Sequence, residues 1–118
     1  MSELKFRRYM RVPLYIIVEV QFDGEEELKP FLLIDISWGG MFLRAENPRP
    51  IGKRLTVRLP VEEDSVALEI QGTVIKHNKT IEGKFIPGMA VEFDPLDEDT
   101  RGMIQRLVDR VLYQRQKS

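Results

Sequence analysis

The sequence predicts a mainly β protein, a small closed barrel with one α-helix packed against it. Three observations lead there. Short runs rich in β-branched and aromatic residues recur between turns marked by glycine, proline or clustered acids. Near the C-terminus the apolar spacing changes from period two to the period of a helix. A length of 118 residues suits one domain with a single apolar core, without internal repeat or interdomain linker.

The first strand is expected over Leu14-Tyr15-Ile16-Ile17-Val18-Glu19-Val20-Gln21-Phe22, whose second half sets Val18, Val20 and Phe22 against Glu19 and Gln21. Asp23-Gly24 opens a charged turn. Phe31 to Ile36 reads as strand two and Met41 to Ala45 as strand three, with Ser37 to Gly40 as a tight bend that two glycines make sterically cheap. Asn47-Pro48-Arg49-Pro50 and Gly52 form a loop that no central strand accommodates. Arg54 to Leu59 alternates cleanly as strand four, and acids 62 to 64 make the next turn. Val66 to His77 reads as one long strand bent at Gly72, followed by a polar loop to Pro87 and a last strand over Met89 to Phe93. Ile104, Leu107, Val108, Val111 and Leu112 then line one face of a helix over about 97–115. Asp97 is its N-cap, Glu98 and Asp99 occupy the first turn, and Arg110 and Arg115 lie toward its C-terminal end. Gly102 weakens it slightly.

Composition excludes several functions. The chain has no cysteine and one histidine, His77, so disulfides, thiol catalysis and a typical zinc site are not expected. No apolar run approaches the ~20 residues that span a bilayer, and the charged start lacks the apolar region of a signal peptide. These features predict a cytoplasmic protein without membrane insertion. A formal charge of −1 argues against a DNA or RNA binder, and no row of aromatic residues along a basic groove suggests one. No nucleophile–base pair stands out, so an enzyme is not expected. Charge is nevertheless uneven: Lys5, Arg7, Arg8 and Arg11 form a cationic segment with no acid, which suits a small anionic ligand.

Two motifs carry the chemistry. Arg7-Arg8-Tyr9-Met10-Arg11 spaces two guanidiniums four residues apart directly before the first strand. Asp35-Ile36-Ser37-Trp38-Gly39-Gly40 sets a carboxylate, a hydroxyl and a glycine pair between strands two and three. Alone, the arginines also fit a solvated terminus, and Asp35 or Ser37 also fits a turn in which it caps backbone amides. Together they make a site of both charge signs. A guanidinium is planar and forked, matching phosphate or the O6 and N7 acceptors of guanine. A carboxylate accepts the N1–H and N2–H₂ donors of the same base, and a hydroxyl both donates and accepts.

These motifs, with Arg11-Val12-Pro13-Leu14, Leu33 to Leu43, Pro87-Gly88-Met89-Ala90-Val91-Glu92-Phe93 and the acid-capped helix, resemble the PilZ domain family, bacterial receptors for cyclic di-GMP. The likeness covers nearly the whole chain. It implies a six-stranded antiparallel Greek-key barrel at 13–118 and a flexible N-terminal arm at 1–12, with no cofactor beyond the ligand itself. It also implies that Arg7, Arg8, Arg11, Asp35, Ser37, Gly39 and Gly40 bind cyclic di-GMP, Gly39 and Gly40 by letting the ligand approach the backbone. The arm would close over the nucleotide and pass a signal to a downstream protein target. A second reading is an interaction adaptor on the same fold that binds no nucleotide. Phe6 stands where the family's residue before the arginine motif influences ligand count, and favours a single ligand. Relatives carry an aromatic residue near the position of Lys76; here an exposed lysine is expected. Trp38 suits either stacking on guanine or partial burial in the turn.

Overall fold

The computed structural model describes residues 11–60 and 67–117. Six strands, β1 (Val12–Phe22), β2 (Lys29–Ile36), β3 (Gly40–Arg44), β4 (Arg54–Pro60), β5 (Ala67–Ile81) and β6 (Lys84–Phe93), are followed by α1 (Glu98–Lys117). The strands close antiparallel into a barrel in the order β1-β2-β3-β6-β5-β4. Because β4 returns to lie beside β1, the order β4-β1-β2-β3 is a Greek key. The acidic turn at 62–64 and the start of strand five at Val66 lie outside the described residues.

Alternation decides what points inward. Along β1, Leu14, Val18, Val20 and Phe22 are buried while Pro13, Tyr15, Ile17, Glu19 and Gln21 are exposed, so the period-two pattern runs through the apolar first half as well. Leu33 and Ile36 of β2, Met41 and Leu43 of β3, Leu55, Val57 and Leu59 of β4, Ile70 and Val74 of β5, and Met89 and Val91 of β6 complete the lining. Ile104, Leu107 and Val108 of α1 enter the same cluster, and Asp97 caps the helix, its Oδ1 accepting from the Thr100 amide at 2.8 Å. Elsewhere the loop after β3 is fastened down. Arg49 donates two hydrogen bonds to Glu25 at 2.8 and 3.0 Å and lies 4.4 Å from the centroid of the Phe22 ring. His77 Nε2 donates to the carbonyl of Arg49 at 2.7 Å.

The segment after His77 departs from expectation. In place of a polar loop to Pro87, β5 continues to Ile81 and β6 begins at Lys84, joined through Glu82 and Gly83 with φ of 50° and 79°. Two successive positive φ values in a two-residue loop are the hairpin turn whose twist matches paired strands. Pro87 has no amide hydrogen for a ladder, but β5 bulges opposite it between His77 and Lys79. Asn78, at φ 62°, there accepts from the Gly88 amide through its side-chain oxygen at 3.2 Å. The proline carbonyl accepts from Ala45 N at 3.0 Å. Gly72 lies within one continuous strand, where pairing with β4 ends and pairing with β6 begins, and a Cβ there would lie 2.6 Å from the Glu92 carbonyl oxygen.

Candidate functional site

The outer face of the barrel gathers the candidate residues. β2 and β3 pair Asp35 with Phe42, and β3 and β6 pair Phe42 with Ala90, which in turn pairs with Lys76 on β5. Side chains two apart share a face, so Met41 and Leu43 fill the barrel while Phe42 points outward. Phe42 is nonetheless only 1% exposed. The edge of its ring packs against Gly88, where a Cβ would come within 2.7 Å of it, and the Lys79 ammonium sits 5.1 Å from its centroid.

Asp35 stands beside this ring with 5% of its surface exposed. A carboxylate at that depth needs compensation, since an unpaired buried charge is strongly unfavourable. Two cations supply it. Arg11 Nη1 donates to Oδ1 at 3.2 Å, and Lys79 Nζ donates to Oδ2 at 2.6 Å. Arg11 comes from the residue before β1, and Lys79 from the outer half of β5. Two bulges in β5, between Val74 and Lys76 and between His77 and Lys79, bend the hairpin that carries it.

Ser37 is fully buried and belongs to the bend. Its amide donates to the Gly40 carbonyl at 2.8 Å, and its Oγ accepts from the Gly39 amide at 3.2 Å and donates weakly to the Gly40 carbonyl at 3.5 Å. Direct contact of this hydroxyl with a ligand therefore requires the bend to open. Gly40 meets a packing demand of its own. A Cβ there would fall 2.1 Å from the Val91 carbonyl oxygen, so glycine lets β3 approach β6, and Gly40 has no positive φ. Trp38 is partly buried against the core, with the Arg101 guanidinium 5.7 Å from its ring centroid.

The structure thus brings Arg11, Asp35 and the Ser37–Gly40 bend together. Arg7 and Arg8, with Phe6 before them, lie outside the described residues. Lys76 is exposed, as expected, three strands from Asp35. Lys79 went unread in the sequence because its segment looked like loop. The available signal was Glu82-Gly83 flanked by Lys79-Thr80-Ile81 and Lys84-Phe85-Ile86, a hairpin pattern.

The profile of the PilZ domain matches residues 5–110, taking in the arginine motif, the aspartate bend, all six strands and most of the helix. The chain belongs to the PilZ domain family. No curated protein matches it. Among solved structures, the PilZ domain with c-di-GMP of YcgR from Escherichia coli is similar at a TM-score of 0.69 and 19% identity, over 94% of this chain and 95% of that one. The PilZ domain of CeSA from a cellulose-synthesizing bacterium aligns at a TM-score of 0.57 and 18% identity, covering 86% of this chain and 96% of that one. The Borreliella burgdorferi PlzA protein in complex with c-di-GMP aligns at 0.52 and 18% identity, over 91% of this chain and 43% of its own. At such identities the likeness speaks to the fold, which is the PilZ six-stranded barrel with its C-terminal helix. Among the described residues no helix is long and apolar enough to cross a membrane.

Proposed function

We propose that this PilZ domain is a non-enzymatic receptor for cyclic di-GMP in the bacterial cytoplasm. The observation that carries the reading is the meeting of the two motifs: Arg11 and Asp35, 24 positions apart in sequence, join across the barrel surface at 3.2 Å. Arg11 spends one of its five N–H donors on Asp35, and the rest of its fork is available for phosphate or for guanine O6 and N7. Asp35 has lone pairs left for guanine N1–H and N2–H₂. Ser37 acts through the bend it holds, which fixes the Asp35 end of β2. Arg7 and Arg8 reach the nucleotide when the arm closes over it, and the repositioned arm is what a downstream protein reads.

Titration calorimetry with cyclic di-GMP tests this directly, and the expected stoichiometry is one. A charged hydrogen bond contributes about 1.5–3 kcal/mol, so Arg7→Ala, Arg11→Ala and Asp35→Ala each weaken binding about tenfold to a hundredfold. Unchanged affinity in all three overturns the site, and no binding by the wild type leaves the adaptor reading. Hydrogen exchange tests the arm separately: protection of residues 3 to 12 is expected only with ligand.

A further inference from the structure

We infer that Lys79 is a specificity residue of this site, its ammonium donating to O6 of the guanine whose N1–H is accepted by Asp35. The inference rests on the receptor reading above and adds a residue outside both motifs. Three observations support it. First, Lys79 Nζ is 2.6 Å from Asp35 Oδ2, so donor and acceptor stand side by side at the spacing of neighbouring atoms on one base edge. Second, the ammonium is held in place: it sits 5.1 Å from the Phe42 ring centroid, and that ring is itself wedged against Gly88. Third, an ammonium has three donors and Asp35 takes one, while the Lys79 side chain keeps 28% of its surface exposed. A donor therefore remains for a ligand without breaking the ion pair.

Order along the edge gives the selectivity. Guanine presents N2–H₂, N1–H and the O6 acceptor in sequence; adenine has an amine in place of O6 and a bare N1. A base oriented by its phosphates thus meets complementary partners at Asp35 and Lys79 when it is guanine. Adenine in that orientation sets donor against ammonium and acceptor against carboxylate. Leaving such groups unpaired in a site built for hydrogen bonding is what makes rejection strong. A lysine acting only as a point charge on phosphate would raise affinity for both dinucleotides alike.

Lys79→Met keeps an unbranched aliphatic side chain and removes the donor. By calorimetry or competition, Lys79→Met should weaken cyclic di-GMP and cyclic di-IMP, which share O6 and N1–H, by about tenfold or more. Cyclic di-AMP should not weaken in step, and Lys79→Arg should restore most of the preference. Isotope-edited infrared spectroscopy reads the contact itself, with the C6=O stretch of bound guanine moving to higher frequency in Lys79→Met. Equal loss for all three dinucleotides, or an unmoved carbonyl stretch, assigns Lys79 to phosphate or to structure and overturns the inference. A wild type that binds cyclic di-GMP with Lys79→Met unchanged overturns it alone; a wild type that binds none overturns the receptor reading as well. Thermal melting of each unliganded variant reads folding independently, and Lys79→Gln serves if the methionine variant does not fold.

Discussion

Asp35 is buried, and both of its oxygens are engaged by cations, one 24 residues before it and one 44 residues after it in the sequence. Nothing local to Asp35-Ile36-Ser37 supplies them, and burial without them would be unfavourable. Other paired carboxylates are half-buried or exposed, and they set the acid response. The hydrogen bond from Arg49 holds Glu25 below the usual carboxylate range, and the paired donors of Arg54 do the same for Asp94 at 2.7 Å. The Thr100 contact lowers Asp97. Each folded value lies below the unfolded one, so the stabilisation is fully present above the ordinary carboxylate range and is lost as pH falls through the folded values, below about pH 4. Surface screening keeps each effect modest. Urea midpoints should therefore hold steady from about pH 5 to 7 and decline below about pH 4. Glu25→Gln and Asp94→Asn should each make that decline shallower, since the variant has less to lose.

Among the elements, the β5–β6 hairpin shows how composition misleads. His77-Asn78-Lys79-Thr80 is polar and is followed by glycine and proline, which reads as loop. The chain pairs through it because Glu82 and Gly83 adopt the turn that closes a twisted hairpin, and because Asn78 supplies the acceptor that the Gly88 amide needs beside Pro87. The β3–β6 pair makes the complementary point. Gly40 was legible as a bend glycine, but the demand on it comes from the Val91 carbonyl across the ladder. An added methyl must displace backbone rather than a flexible side chain. Gly40→Ala is expected to destabilise by about 1–3 kcal/mol or more, the usual range for overpacking, measured as a lowered urea midpoint with an unchanged slope. Because the clash is with β6, it should appear with and without ligand.

For the molecule as a whole, the helix and the barrel form one core. Ile104, Leu107 and Val108 belong to the same apolar cluster as the inward residues of the strands, so helix docking and barrel formation are coupled. Leu107→Ala should cost about 2–5 kcal/mol, and near-ultraviolet and far-ultraviolet circular dichroism should report one shared unfolding transition. Separate transitions for helix and barrel would contradict a common core. The end of α1 also returns to the beginning of the chain. Arg115 donates to the carbonyls of Pro13 and Leu14, where the β1 register shifts between Pro13 and Ile16 and Tyr15 takes a φ of 52°. That irregularity lies two residues beyond Arg11, so the helix tail and Arg11 are anchored to the same short stretch of β1.

From the sequence alone came the class of fold, the inward faces of β1 and β4, the capped helix, and the choice of Arg11 and Asp35 as candidate residues. Each follows from periodicity or from residue chemistry within a short window. The tertiary structure alone decided the partners: Lys79 on Asp35, Phe42 turned outward yet covered, Ser37 spent on its own bend, and Gly40 required by β6. These depend on which strands become neighbours when the barrel closes, and the physical reason is register. Pairing fixed by bulges and turns far along the chain sets which side chains meet, and no local pattern encodes it.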